Sequence, residues 1–184
     1  MRAFFARNWI FFAAAAAIAL SVHAATLFAL PHFVMAQATK KIVRDGAYNV
    51  VHHIARADEH SRVVVRPSPD LLYSICPFDL SKGALRVQAD VPPGTYWSVS
   101  VFDADTNNIF VENDRQAKDG KVDFVVLAPI TGRSVTTFVV PQHIVFSPTV
   151  TGLVLFRTLI NDESRFAEID AARRKATCGV VATK

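Results

Sequence analysis

A long uncharged segment near the amino terminus constrains this chain more than any other feature of its sequence. No Lys, Arg, Asp or Glu occurs from Asn8 to Thr39, and the stretch from Trp9 to Leu30 is almost wholly apolar. Roughly 20 helical residues cross a bilayer core about 30 Å thick. The alternative is a cleaved signal peptide, with a cleavage site at 22–24 or 36–38, but the apolar region of such a peptide has only about 7 to 15 residues. We therefore predict a retained transmembrane anchor within residues 1–36, with the lipid bilayer contacted from Trp9 to Leu30.

Positive charges flank this predicted anchor on both sides. Arg2 and Arg7 precede it, whereas Lys40, Lys41 and Arg44 follow it, so the positive-inside rule nearly balances. A short basic amino terminus commonly stays in the cytoplasm while a long downstream domain crosses the membrane. We expect a single-pass membrane protein with a cytoplasmic N-terminus and a periplasmic main domain.

The overall charge gives no indication of a nucleic-acid partner. The formal net charge is +4, and Arg2 and Arg7 of the membrane flank supply two of these charges. The other basic residues are spread along the chain without an RNA-reading or helix-turn-helix pattern. Nucleic acid is therefore excluded as the main partner.

Residues 37–60 are predicted to form an amphipathic linker helix between the membrane and the main domain. Apolar residues recur at spacings of three and four from Ile42 to Ile54, which is typical of one face of a helix. Pro31 lies before this segment and is expected to end or kink the membrane span.

The remaining residues, 61–184, have the pattern of one mainly β domain. Short runs of β-branched and aromatic residues alternate with Pro, Gly, Asn and Asp, which indicates antiparallel strands. Asn161 or Asp162 is expected to cap a closing helix. The fold class is therefore an antiparallel meander or sandwich with a C-terminal helix, preceded by the transmembrane helix and the linker helix. The predicted strands are 62–65, 71–75, 85–90, 96–103, 109–112, 122–127, 135–140 and 153–160.

Several motifs resemble those of a bacterial family, the domain of unknown function 1254 (DUF1254). RPSPDLLYSICPFDLS, from Arg66 to Ser81, is similar to its opening motif. Residues 94–98 resemble its G-x-Y-W-S strand, 106–108 the turn after that strand, and LFRTL at 155–159 its late strand before a closing helix. The resemblance covers about residues 50–174 and implies a mostly antiparallel β domain with a helical end, without a settled activity. Because the family is bacterial, we expect the predicted anchor to lie in the bacterial inner membrane.

The same resemblance implies a partner. Members of this family often carry a second domain, of the unknown-function 1214 family, and this chain resembles a short, membrane-anchored form without it. A separate membrane chain that carries the companion 1214 domain is therefore expected to pair with this one.

One group of polar residues is the candidate ligand site. It lies within otherwise apolar strand sequence and consists of Arg66, Asp70, Tyr73 and Asp79, which Arg157 could join from a later strand. Such a group could orient an anionic or sugar-like ligand, with Asp70 as a general base if burial raised its pKa. A structural interpretation is equally simple, because Asp70 could accept hydrogen bonds from turn amides and an arginine could neutralise it.

No metal or cofactor signature accompanies these candidates. His52, His53 and His60 lack the spacing of a tetrahedral site, and the acidic run from Asp103 lacks the Gly and the Glu of a calcium loop. We expect no cofactor.

Cys76 and Cys178 are the two cysteines of the chain. They could form a disulfide in an oxidising periplasm, or remain independent thiols.

These observations leave two classes of function open. The first is a binding or interaction module whose periplasmic domain binds a partner protein or a small ligand. The alternative is a membrane-tethered, hydrolase-like enzyme that uses Arg66, Asp70 and Tyr73.

Overall fold

The computed structural model describes residues 2–43, 47–61, 67–128 and 142–181. Its first element is the 41-residue helix α1 (Arg2–Ile42), which is about 60 Å long at 1.5 Å per residue. Helix α1 is long and apolar enough to cross a membrane, with a mean hydropathy of 2.0 over its most apolar window. A signal sequence would meet the same criterion of length and composition.

Helix α1 does not end at Pro31 but continues through it, which leaves a kink as the remaining expectation for this proline. The prediction for the segment that follows the helix is wrong. The amphipathic linker helix over 37–60 is absent from the described residues, because α1 ends at Ile42 and strand β1 (His52–His53) follows. Backbone bonds to the next strand, from Asn49 N to Pro77 O (2.8 Å) and from Ile54 N to Tyr73 O (3.0 Å), hold this segment at a sheet edge instead.

The described strands form two sheets, which we call sheet A and sheet B. Sheet A has the order β1-β2-β8-β4-β5 and sheet B the order β7-β6-β3-β9. Every pairing is antiparallel except that of β6 with β7, which is parallel. The mainly β fold is therefore confirmed. The remaining strands are β2 (Leu71–Asp79), β3 (Ala84–Asp90), β4 (Trp97–Asp103), β5 (Asn108–Asn113), β6 (Lys121–Leu127), β7 (His143–Phe146), β8 (Thr151–Leu159) and β9 (Thr177–Val181).

The core lies between the two sheets. Phe78, Trp97 and Phe156 of sheet A meet Phe124 of sheet B, and all four side chains are buried. Along β8 the buried Val154, Phe156 and Thr158 alternate with Leu155, Arg157 and Leu159. Because side chains of a strand point alternately to opposite faces, Arg157 lies on the outer face of sheet A.

The agreement in strand positions is strong where the strands are long. The predictions at 71–75, 85–90, 96–103, 109–112, 122–127 and 153–160 all fall on strands of the structure, whereas 62–65 and 135–140 lie outside the described residues. Strands β1, β7 and β9 were not predicted, since they are short and are stabilised by distant pairing partners.

A short helix precedes the last strand. Asp162 Oδ1 accepts a hydrogen bond from Ser164 N (2.9 Å) and caps a single 3₁₀ turn, after which α2 (Phe166–Arg173) begins. Ile169 is fully buried and packs with Leu72 and Ile160. The predicted closing helix is therefore present, but β9 follows it and completes sheet B.

The two ends of the sandwich differ, and we call them proximal and distal. The proximal end has the turns at 104–107 and 147–150 and the 3₁₀ helix Leu80–Lys82, whereas the distal end has the loops at 91–96 and 113–120. Helix α1 meets the proximal end, where His32 Nδ1 contacts Asp105 Oδ1. Met35 and Thr39 of α1 are also buried.

Candidate functional site

The structure separates the residues of the predicted ligand site. Tyr73 and Arg157 are brought together as cross-strand partners on β2 and β8. Asp70 lies in an exposed turn before β2. Asp79 lies at the other end of β2, six residues and about 20 Å from Tyr73. Arg66 falls outside the described residues, so the described members do not form one cluster.

Asp79 has a local structural role. Its Oδ1 accepts a hydrogen bond from Ser81 N (2.9 Å) and caps the 3₁₀ helix Leu80–Lys82. Hydrogen bonding from the Ser81 side chain, together with this backbone bond, lowers the pKa of the Asp79 carboxyl. The Asn49 side chain also bonds both backbone groups of Asp79, accepting from its N (2.9 Å) and donating to its O (3.0 Å). Asp79 therefore stabilises the proximal end of the domain.

Four residues form a polar row across the outer face of sheet A: Tyr73, Arg157, Ser98 and Asn113 are successive cross-strand partners on β2, β8, β4 and β5. The Tyr73 hydroxyl accepts a hydrogen bond from Ser68 N (3.1 Å), which holds the ring against the preceding turn. Hydroxyl, guanidinium and amide groups are thus presented side by side by a rigid sheet.

The guanidinium of Arg157 is distinctive among the described arginines of the β domain. Its Nε is buried and has no hydrogen-bond partner among the described residues. Arg157 also forms no ion pair with a described carboxylate, and the same is true of Arg115 in the loop after β5. By contrast, carboxylates pair with Arg56, Arg86, Arg165, Arg173 and Arg174.

A cleft of about 730 Å³ opens at the distal end, beside the polar row. Tyr96, Asn113 and Arg115 are among the residues that line it. Tyr96 also donates a hydrogen bond from its hydroxyl to Ser98 Oγ (3.0 Å), so the cleft and the polar row are continuous. Hydrogen bonds brace the walls, for example from Asn161 Nδ2 to Gly94 O (2.8 Å).

A buried polar network that the sequence did not predict ties α2 to sheet A. Arg173 is only 4% exposed, and its Nη1 donates to Ile54 O (3.0 Å) and Tyr73 O (2.7 Å). Its guanidinium also pairs with Asp170. The only signal in the sequence was the spacing of three between Asp170 and Arg173. Because its donors are paired within the protein, this network is a structural element.

The same network includes a serine and a histidine. His53 Nδ1 lies 2.9 Å from Ser74 Oγ, and burial, together with the charge of Arg173, lowers the pKa of His53. This pair has the elements of a serine nucleophile and its base. Ser74 is fully buried, however, so a substrate has no access to its hydroxyl.

The histidines at 52, 53 and 60 and the acidic run from Asp103 were considered above as metal ligands. The described residues contain no group of three or more His, Cys, Asp or Glu side chains that could hold a metal ion. Asp103 Oδ1 instead accepts hydrogen bonds from Asp105 N (2.9 Å) and Asn107 N (2.8 Å), as in a polar β-turn.

The two cysteines lie on facing sheets. Cys76 of β2 and Cys178 of β9 form a disulfide, with their Cα atoms 6.6 Å apart and a sequence separation of 102. The bridge joins sheet A to sheet B across the core.

Comparisons with known proteins give a family and a fold. The model of the family "Protein of unknown function (DUF1254)" matches residues 48–179, which confirms the resemblance of the motifs. The VPA0106 protein from Vibrio parahaemolyticus has a similar structure, with a TM-score of 0.59 and 10% sequence identity over 82% of this chain and 37% of that chain. No curated protein matches the chain.

A second solved structure is more distant. A putative uncharacterized protein from Burkholderia cenocepacia has a TM-score of 0.49 and 16% identity, over 90% of this chain and 43% of that chain. This chain thus spans less than half the length of both solved proteins. At such low identity the likeness to the Vibrio protein establishes a shared fold alone.

Proposed function

This chain belongs to the family "Protein of unknown function (DUF1254)", and on that premise we propose that it is a membrane-anchored module that binds an anionic ligand at its distal end. Helix α1 would hold the protein in the bacterial inner membrane, with the N-terminus in the cytoplasm and the β domain in the periplasm. The uncharged run of α1 supports the anchor, and the basic residues Arg2 and Arg7 before it support the cytoplasmic N-terminus.

The buried Nε of Arg157 is the observation that carries the choice of ligand. Buried donors are nearly always paired in folded proteins, and leaving one unpaired costs about 1 to 3 kcal/mol. The Nε itself is closed to solvent, but Arg157 as a whole is only half-buried. A carboxylate or phosphate group would therefore bind the rest of its planar guanidinium, which suits such groups through two parallel hydrogen bonds. Tyr73 and Ser98 flank Arg157 with hydroxyls, and Arg115 adds a second unpaired positive charge in the adjoining cleft.

The same geometry favours binding over the hydrolase-like alternative. A general base must come within hydrogen-bond reach of the proton that it removes. Asp70 lies in an exposed turn and Asp79 at the opposite end of β2, and no described carboxylate forms an ion pair with Arg157. The polar row therefore has groups that hold an anion. Among the described residues that line the adjoining cleft, the one carboxylate is that of Asp114, whose Oδ1 accepts a hydrogen bond from Trp97 N (3.3 Å).

We propose in addition a protein partner, a separate membrane chain that carries the companion 1214 domain. In the Vibrio protein the shared fold is part of a chain more than twice as long, so this fold occurs beside further residues in one chain. Purification of the tagged full chain from native membranes, with identification of the retained proteins, tests this pairing. Repeated recovery of the chain without that partner would contradict it.

The ligand proposal is tested by the small molecules that the purified protein retains. The full chain, an Arg157→Gln variant and a Lys82→Gln variant are extracted from the same membranes, and compounds released on denaturation are identified by mass spectrometry. Lys82 lies at the proximal end, so its variant removes the same charge far from the site. We expect an anionic compound from wild type and Lys82→Gln, and its loss from Arg157→Gln; equal recovery from all three would refute the assignment.

A second measurement uses citrate as a defined anionic probe. A ligand at 100 times its dissociation constant stabilises the folded state by about 2.7 kcal/mol. Citrate is therefore expected to raise the unfolding temperature of wild type and Lys82→Gln, with a smaller rise for Arg157→Gln. Glucose, which is neutral, is the matched control and should leave all three unchanged.

A further inference from the structure

Exposed apolar side chains gather at the proximal end of the β domain, where a soluble surface would be polar. Phe146, the last residue of β7, is 61% exposed, and Val150, in the turn that follows, is 43% exposed. Lys82 is exposed at the same end, at the close of the 3₁₀ helix after β2. We call these three residues the proximal rim.

A chain of direct contacts connects this rim to helix α1. His32 of α1 pairs with Asp105 in the turn after β4. The neighbouring Ala104 N donates to Thr149 Oγ1 (2.9 Å), beside Val150. The carbonyl of Val150 in turn accepts a hydrogen bond from Leu80 N (2.9 Å), in the 3₁₀ helix that ends at Lys82. The rim is therefore fixed to the helix at the level of His32.

That level lies close to the end of the apolar span. His32 is two residues beyond Leu30, which is about 3 Å along the helix axis. The headgroup region adds about 5 to 7 Å on each side of the hydrocarbon core. With the span from Trp9 to Leu30 in the core, His32 and its contact Asp105 lie at headgroup depth.

We infer that the proximal rim lies in the lipid headgroup region, so that the β domain rests directly on the bilayer. This inference rests on the proposed function in one respect, that α1 spans the membrane. A lipid surface suits the chemistry of the rim, because an aromatic ring and an aliphatic side chain gain by leaving water and a lysine is attracted to anionic headgroups. Phe33, next to His32, is 60% exposed and provides a further apolar contact at this depth.

The consequence is a defined orientation of the binding site. With the proximal rim against the bilayer, the cleft and Arg115 at the opposite end of the strands face away from it. The domain would therefore present its ligand site to the periplasm as a rigid head, with its tilt restrained by the rim.

Spin labels on the full chain in nanodiscs test this inference. Single cysteines are introduced at Phe146 and Val150, and each label is compared for collision with oxygen, which enters lipid, and with a water-soluble nickel complex. The native Cys76 and Cys178 are bonded to each other and do not take the label. Val111 is 51% exposed on the outer face of β5 and gives the aqueous control, whereas Ala16, within α1, reports on the membrane span itself.

We expect labels at Phe146 and Val150 to have an oxygen-to-nickel accessibility ratio well above that at Val111 and below that at Ala16. A lipid signal at Ala16 with aqueous signals at Phe146 and Val150 would overturn the inference while leaving the anchor intact. An aqueous signal at Ala16 would overturn the anchor, and the inference with it.

Discussion

Replacement of Gly152 by alanine tests how closely the strands of sheet A pack on the core. Gly152 of β8 lies between Phe78 of β2 and Asp103 of β4. A methyl group there would fall well inside contact distance of the Phe78 ring and of the Phe102 carbonyl oxygen. The Phe78 ring is fully buried in the core, and the Phe102 carbonyl belongs to a strand that is paired on both sides. Neither can move without disturbing its neighbours.

The magnitude follows from two opposing effects. Glycine within a strand costs about 0.5 to 1 kcal/mol relative to alanine, so an unhindered substitution should stabilise the protein. Overpacking a core costs about 1 to 3 kcal/mol, and the backbone contact places Gly152→Ala at the upper part of that range. Less the gain from replacing glycine, the net loss is about 1 to 2.5 kcal/mol, which lowers the unfolding temperature of a chain of this size by roughly 2 to 10 °C.

Gly179 of β9 provides the matched control, since a methyl group there meets nothing within 4 Å. Thermal unfolding is followed by near-ultraviolet circular dichroism, to which the buried Trp97 contributes. We expect Gly152→Ala to unfold well below wild type and Gly179→Ala at or slightly above it. Equal unfolding temperatures for the two variants would refute the packing of Phe78 and β4 around Gly152.

Two further predictions concern the bridge between the sheets and a buried carboxyl. Closing a loop of about 100 residues stabilises by up to about 4.7 kcal/mol in the chain-entropy model, so reduction of Cys76–Cys178 should lower the free energy of unfolding by up to that amount; two reactive thiols in unreduced, denatured protein would contradict the bridge. Burial raises the pKa of Glu112 above its usual 4.5, so above pH 4.5 the folded state binds more protons than the unfolded state. The protonated Glu112 is therefore compatible with the folded state, and the free energy of unfolding falls as the pH rises through the raised pKa. Glu112→Gln should therefore raise the unfolding temperature at pH 7 and have little effect below pH 4.5, and an equal effect at both pH values would count against a buried, charged Glu112.

Much of the candidate site depends on pairings that a linear sequence does not contain. Tyr73 and Arg157 are 84 positions apart in number, and only the register of β2 against β8 makes them neighbours. Asp79 was grouped with Tyr73 because the two are close in sequence, yet an extended strand carries them about 20 Å apart. Arg173 was not among the candidate residues, and its burial follows from the packing of α2 against sheet A.

The sequence by itself determined the features that arise from local periodicity and composition. Helix and strand patterns are short-range, so a few neighbouring positions are enough to predict the conformation. Examples are the apolar run from Trp9 to Leu30, the alternation along β3 and the turn residues before β4. Only the tertiary structure decided the conformation of residues 47–61, where pairing with β2 replaced the helix that the apolar spacing predicted. It also decided how the strands are divided between the two sheets. It also decided which arginines find a carboxylate, because that depends on contacts between segments far apart in the chain.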